Sequence, residues 1–473
     1  MERQGSQAKG QARNIGVIGA GFAGTLFALK LAAIRPEWTI FLIERRTYYG
    51  RGIAYGACSP QHLLNVPAGR MEVGLKPRFI DWLKNHRSRL EEALAEAAGS
   101  LADAFVPRQL FGDYLEQQVM GAASGNIRLI RGDAIKLLQN PRQIVLADGS
   151  SLPVDTVVLA TGNLPPRLPF EARASARIVT DPWQDGALKQ IQANDSVLLL
   201  GTGLTMIDML LVLRDRGHRG PIHAVSRHGF LPKTHTSGGT WPTFLEPGMS
   251  PRQALQVIRI HIALAEERGV AWQRVFDAVR PVVAVLWHSW SIGQRAQFVR
   301  HLKALWDTHR HRIPERVAAV VDELLWSGRL TVTAGKVLAV DEHKQGLTAM
   351  IRPRGKRAMA VEVDAIVNCT GPLLDLRHTH HPLLGGMLEQ GVIRSDPLGL
   401  GLDTSDSAAV SSDGKPQHWL FALGPLTRPA WWEITAVPEI NAQIDRLVQR
   451  IAHDDHRAAP PLASVFLDIG AGI

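Results

Sequence analysis

Two glycine-rich runs have the residue types and spacing to hold the phosphates of a dinucleotide. The first is Gly19-Ala20-Gly21-Phe22-Ala23-Gly24. An apolar run over 14–18 precedes it, and an apolar helical pattern over 25–34 follows. A second apolar run, 39–43, ends in Glu44, 20 residues after Gly24. Each part has a chemical task. The first glycine permits a tight turn, the second lets a pyrophosphate approach the backbone, and the third lets helix and strand pack closely. The helix N-terminus offers unpaired N–H groups and a partial positive charge. Glu44 is suited to accept hydrogen bonds from ribose hydroxyls, and its charge would repel a 2′-phosphate. The site therefore fits FAD or NAD rather than NADP. Ala20, Phe22, Ala23 and Arg45 complete the cofactor-binding candidates of this run.

The pattern returns 182 residues later. A buried-strand pattern over 195–200 leads into Gly201-Thr202-Gly203, then a helical pattern over 204–214 and a strand over 221–225. Met206 occupies the slot of the third glycine, which predicts looser packing of helix on strand. The second strand ends in Ser226-Arg227-His228 instead of an acid. A guanidinium there can pair bidentately with a 2′-phosphate. The contrast predicts FAD at the first run and NADPH at the second, with Gly201, Thr202, Gly203, Leu204, Thr205, Ser226 and Arg227 as binding candidates.

These turns need parallel strands to carry them. Two further segments share one plan: an acid, an apolar strand and a small-Thr-Gly turn. They are 155–159 followed by Ala160-Thr161-Gly162, and 364–368 followed by Cys369-Thr370-Gly371. Thr161, Gly162 and Gly371 join the candidates, because small residues let the backbone pass close to a cofactor. The expected fold is α/β, with two Rossmann-like dinucleotide-binding domains, the second inserted in the first. The expected boundaries are 14–163 and 364–473 for a discontinuous FAD-binding domain. An NADPH-binding domain spans 164–363, with a helical insertion about 241–327. Short strands with turn signals over 127–155 predict a β-meander. Helical periodicity falls over 251–268, 291–307 and 314–326. Trp241, Trp272, Trp287, Trp290, Trp306 and Trp326 lie in this excursion. They are expected to pack the helical layer, or alternatively to wall a substrate site.

Longer motifs resemble the FAD/NAD(P)-binding proteins of the YdhS type. They include Gly50-Arg51-Gly52-Ile53-Ala54-Tyr55-Gly56, His62 through Met71, Val106-Pro107-Arg108, Trp306 through Arg312, Leu423-Gly424-Pro425 and Trp432 through Ile440. The resemblance covers nearly the whole chain. More distantly, the layout is similar to class B flavoprotein monooxygenases, in which a segment like Pro107-Arg108 lies beside FAD. That places Arg108 among the cofactor-binding candidates. Their Phe-x-Gly-x-x-x-His linker fingerprint is absent after Gly162, where Thr180-Asp181-Pro182-Trp183 stands instead. The resemblance implies an FAD-dependent, NADPH-oxidising oxidoreductase, monooxygenase-like, hydroxylating a small amine or aromatic substrate. The alternatives are a flavin-dependent reductase or electron-transfer enzyme without oxygenation, and a non-catalytic flavin-binding sensor.

The segment 50–71 is expected over the flavin ring. There Asn65 would orient the N5 region and Arg70 would hold an anionic substrate or nicotinamide phosphates, with loop stabilisation as the plainer role for both. Gly424 follows a strand over 419–423. Thr435 and Ala436 are expected to open a last helix whose N–H groups face flavin N1/O2, with Glu433 and Glu439 bracing it.

Composition limits the remaining classes. The chain has 473 residues and a formal net charge of +9, with basic residues in short runs rather than one tract. Nucleic acid is therefore not expected as a partner, and anionic cofactors suit the balance. Two cysteines, Cys58 and Cys369, exclude a disulfide scaffold and a CxxC redox pair. His378, His380 and His381 lack a nearby cysteine, so no metal site is expected. The polar start predicts no signal peptide, and 196–213 reads as strand plus helix rather than a span. The expectation is a cytoplasmic protein acting on a small molecule.

Overall fold

The computed structural model describes residues 12–57, 59–173, 175–236 and 238–453. Two compact units divide them. One holds the described residues up to Gly56, Phe111–Gly162 and those from Leu374 onward. The other holds Ala57–Leu110 and Asn163–Leu373. The chain thus leaves and re-enters the first unit twice. Residues 57–110 group with the second unit, whereas the boundaries drawn from sequence run unbroken over 14–163. The cause is side-chain chemistry: Leu63 packs in the second unit's core, and His62 and Arg108 bond to Asp208.

The first unit is built on a seven-stranded sheet. Its strands Pro416–Ala422, Thr156–Leu159, Asn14–Ile18, Thr39–Glu44 and Ile127–Arg131, the last at the edge, are parallel neighbours in that order. Thr156–Leu159 is buried throughout, as parallel strands covered on both faces are. The helix Phe22–Ile34 follows the first strand, and Lys30 reaches Asn441 (2.7 Å) and Asp445 (2.6 Å) of the helix Val437–Ala452. Only three strands of the expected meander, Ala134–Gln139, Arg142–Leu146 and Ser151–Pro153, form an antiparallel sheet. Ile127–Arg131 joins the parallel one, because its residues pair with Ile40–Glu44.

The second unit repeats the plan. Leu330–His343, Ile222–Ser226, Val197–Leu200, Ala365–Asn368 and Ile178–Val179 are parallel neighbours. Gly346–Pro353 and Met359–Val363 extend the edge antiparallel. The acids before the returning strands explain themselves here. Asp155 accepts the amide of Asn14, and Asp364 accepts that of Ser196, both at 2.8 Å. Each acid ties the returning strand to the start of the strand that leads into the glycine turn of its unit.

The helical excursion holds Pro251–Glu267, Trp272–Val279, Val283–Ser289, Ile292–His301, Lys303–Arg310 and Glu315–Trp326. The expected helix over 291–307 is therefore two, broken at Leu302. Trp287, Trp290 and Trp306 are buried around Phe298, as packing residues should be. Trp326 is 96% exposed and packs nothing. No helix among the described residues is long and apolar enough to cross a membrane.

Gly201 and Gly203 allow a direct test. Gly201 has φ +109°, and an added Cβ would lie 2.5 Å from the Cys369 carbonyl oxygen. A Cβ on Gly203 would meet nothing within 4 Å. Gly201→Ala is expected to cost about 2 kcal/mol or more, and Gly203→Ala under about 1 kcal/mol. Thermal unfolding of the two variants checks this; equal losses would contradict the tight-turn role.

Candidate functional site

The two glycine turns superpose in their chemistry. Gly19 has φ +102°, donates its amide to Ile43 O at 2.9 Å, and would place a Cβ 2.4 Å from Ala160 O. Gly201 donates to Val225 O at 2.7 Å and abuts Cys369 O in the same way. Gly21 and Gly203 cap the helices Phe22–Ile34 and Leu204–Asp215 with extended backbone. Neither helix has a side-chain cap or an acid in its first turn. The first-turn N–H groups are thus left for an external anion. Thr161 Oγ1 is buried in the return turn without a hydrogen-bond partner, and Gly162 (φ +68°) follows it. Gly371, at φ +88°, holds the matching place in the second unit. These features fit a dinucleotide pyrophosphate.

The turns differ where a ribose would lie. In the first unit, Glu44 is buried, with Oε2 accepting from Ala20 N (3.0 Å) and Oε1 from Arg46 N (2.9 Å). Its oxygens retain lone pairs for hydroxyl donors. In the second unit, Thr202 stands for Ala20 and Ser226 for Glu44. Thr202 Oγ1 donates to Phe230 O at 2.5 Å, so the Ser226 hydroxyl donates to Thr202 Oγ1 at 2.8 Å and accepts from Gly229 N at 3.0 Å. A neutral hydroxyl pair replaces the carboxylate. Arg227 beside it is exposed and makes no ion pair with a described residue.

Around the first turn, Gly50 donates to Ala20 O at 2.7 Å, and Gly52 (φ +53°) lies against Gly21. Arg51 pairs with Asp113 (2.8 Å) and Glu116 (2.5 Å). The Phe22 ring is buried against Tyr55 and Phe111, so Phe22 contributes its backbone to the turn and its side chain to the core. Arg45 is exposed and Ala23 half-buried. Gly424 (φ +70°) approaches Ala23, and its amide donates to Gln443 Oε1 at 2.9 Å. Gln443 Nε2 donates to Thr427 Oγ1 at 2.8 Å, which in turn donates to Gly424 O. Ala436 caps the helix Val437–Ala452, one residue after Thr435, so these residues open the last helix as expected. Glu433 and Glu439 are buried at that end.

The segment 50–71 does not fold as one piece. Its part 62–71 is a strap in the second unit. His62 Nδ1 accepts from Ser59 N, so Nε2 carries the proton and donates to Asp208 O at 3.0 Å. Burial lowers the His62 pKa, with the Asp208 carboxylate opposing. Arg108 donates to both Asp208 oxygens (2.9 and 3.0 Å), to Leu63 O (2.7 Å) and to Asn65 Oδ1 (3.3 Å). The guanidinium expected beside a flavin is thus engaged with Asp208. Asn65 O accepts from His235 Nε2 at 2.9 Å. Burial and then the Asp208 charge push the Cys369 thiol up, keeping it protonated. Cys58 lies outside the described residues. Asp208 and Gln443 are the contributors that sequence reasoning missed. A lone acid within an apolar helix was the available signal for Asp208, since a buried charge requires a partner.

Residues 16–164 match the FAD-NAD(P)-binding family. The chain is also similar to an uncharacterized protein of Mycobacterium tuberculosis, 22% identical over 91% of this chain and 93% of that protein. Among solved structures, it is similar to the ornithine hydroxylase of Pseudomonas aeruginosa (TM-score 0.61, 15% identity, 94% of this chain and 99% of the other). It is likewise similar to the ornithine N-hydroxylase of Kutzneria, described with reduced FAD, NADP+ and L-ornithine (TM-score 0.60, 16% identity, 93% and 100%). At these identities the likeness establishes a shared fold.

Two outcomes follow from the strap. Arg108→Ala leaves Asp208 buried without its ion-pair partner and is expected to cost about 3–5 kcal/mol in urea unfolding; a change under about 0.5 kcal/mol would remove the brace from the account. His235 is lowered to about 4, first by burial and next by the Arg312 charge. Its folded value lies below the ordinary 6.5, so this contribution to stability is present above pH 6.5 and is lost as pH falls toward 4. His235→Gln should flatten that part of the stability–pH profile, and an unchanged slope would contradict the assignment.

Proposed function

We propose that the chain is an FAD-dependent, NADPH-oxidising oxidoreductase, monooxygenase-like, acting on a small amine or aromatic substrate. The observation that carries this reading is the difference in charge beside two turns of similar backbone geometry. Glu44 faces the first and a Ser226–Thr202 hydroxyl pair with an unpaired Arg227 faces the second. A carboxylate favours ribose hydroxyls and disfavours a 2′-phosphate, and a guanidinium does the reverse.

In this reading Gly19–Gly24, Thr161 and Gly162 hold the FAD pyrophosphate, and Glu44 holds its adenosine ribose. Gly424, Thr435 and Ala436 line the same unit's cofactor site. Gly201, Thr202, Gly203, Leu204, Thr205 and Gly371 hold the NADPH pyrophosphate, and Ser226 and Arg227 its 2′-phosphate. Asn65 and Arg70 position polar and anionic groups of the ligand on the second unit. FAD, when bound, supplies the redox chemistry, taking hydride from NADPH and passing electrons onward. The protonated Cys369 does not suit a thiol relay. The Pseudomonas and Kutzneria proteins, as ornithine hydroxylases, support the amine class.

A second reading, a reductase that does not oxygenate, is favoured by one observation. The monooxygenase linker fingerprint is replaced by Thr180-Asp181-Pro182-Trp183.

Stopped-flow reduction of the flavin-loaded protein tests the proposal. NADPH is expected to be preferred over NADH at least roughly tenfold in kcat/KM, and Arg227→Gln should erase most of that preference by raising KM for NADPH. Equal rates with NADH, or no reduction within seconds, would refute it. Candidate amines that suppress peroxide release in air would favour oxygenation over the reductase reading.

A further inference from the structure

The helical excursion and the strap bring several arginines near one another. Arg274 lies in the helix Trp272–Val279, and Arg280 opens the turn Arg280–Val282 after it. Arg310 ends the helix Lys303–Arg310, and Arg312 follows two residues on. Arg70 arrives from the strap, at the end of the 3-10 turn Ala68–Arg70. All five belong to the second unit. Asp277 pairs with Arg274 at 3.2 Å and with Arg312. The next acid, Asp307, is already paired with Lys303 and lies 3.8 Å from His311.

Arg312 supplies a second, independent observation. It is 4% exposed, and its Nε and one of its terminal nitrogens are buried without a hydrogen-bond partner. Arg274 Nε is buried and unpartnered as well. Buried cationic donors among like charges are unfavourable unless an anion joins them. The electrostatics agree. Burial lowers the pKa of both Arg70 and Arg312; Asp277 opposes this, and neighbouring arginines add to it. Arg70 is nonetheless exposed at the surface, so the group is reachable from solvent at that side chain. Backbone pairing holds the frame. His235 N donates to Ile313 O at 3.0 Å, Ile313 N donates to Lys233 O at 2.9 Å, and Arg274 donates to Thr236 O at 2.7 Å.

We propose that Arg70, Arg274, Arg310 and Arg312 form a binding site for an oxyanion, the carboxylate or phosphate of a small ligand. Guanidinium forks match the paired oxygens of both groups. The site extends the role given to Arg70 above and in that part rests on the proposed function, but the glycine turns do not require these residues, so it can fail without them.

Isothermal titration calorimetry of the full-length, flavin-loaded protein tests this, using sodium phosphate and succinate at ionic strength fixed with sodium chloride. Saturable binding of one anion per chain is expected for at least one of the two. Arg70→Gln and Arg274→Gln should each weaken it at least tenfold, and the exposed Arg357→Gln should leave it unchanged. Arg312→Gln removes a buried group and risks misfolding, so the exposed Arg70 carries the test. Displacement of phosphate by NADP+ would identify the anion as a coenzyme phosphate. Succinate binding that NADP+ does not displace would identify a separate carboxylate ligand. No saturable heat with either anion, or equal affinity in Arg70→Gln, would overturn the proposal. Flavin reduction by NADPH is measured separately, so an unsubstituted protein that binds neither anion while reduction proceeds would sink this site alone.

Discussion

A glycine held against a carbonyl oxygen sets the geometry of both nucleotide turns. Gly19 backs onto Ala160 O and Gly201 onto Cys369 O, each at positive φ where a side chain would collide. That contact fixes how close the first strand's end comes to the returning strand. It also sets where the following helix begins, and therefore where its first N–H groups point. The aspartates at the opposite strand ends, Asp155 and Asp364, hold the same two strands in register. Each unit is clamped at both ends of one strand pair, leaving an open helix N-terminus between strand ends that differ in charge.

The two units then diverge by a few substitutions. Gly24 cannot carry a side chain, since a Cβ would sit 1.9 Å from Gly19 O. Its counterpart in the second unit is Met206, fully buried in that unit's core. At the strand end, exchanging Glu44 for Ser226 removes a charge and leaves Arg227 available. Specificity in this account comes from which charge stands beside a shared turn, not from a different fold.

Much of this was legible in the chain. The strand–turn–helix repeats, the return turns and the open N-termini follow from glycine spacing and apolar runs, because local backbone needs dictate them. Ser250 with Gln253 and Ser291 with Gln294 form capping boxes whose S-x-x-Q signature marks the helix starts. What escaped was long-range pairing. That 62–71 belongs with the second unit depends on Asp208 meeting Arg108 and His62 across distant sequence, which no periodicity encodes. The break at Leu302 and the exposure of Trp326 are likewise tertiary outcomes. The arginines around Asp277 were not legible as a group because three separate stretches, around 70, 274–280 and 310–312, supply them.

The central claim is that the two turns are assigned to different cofactors by Glu44 and Arg227. A crystal structure of the protein with FAD and NADP+ bound tests it most directly. The account predicts the FAD pyrophosphate against Gly19–Gly24 with its ribose hydroxyls on Glu44, and the NADP+ 2′-phosphate on Arg227 beside Ser226. NADP+ density at the first turn, or a 2′-phosphate remote from Arg227, would contradict it.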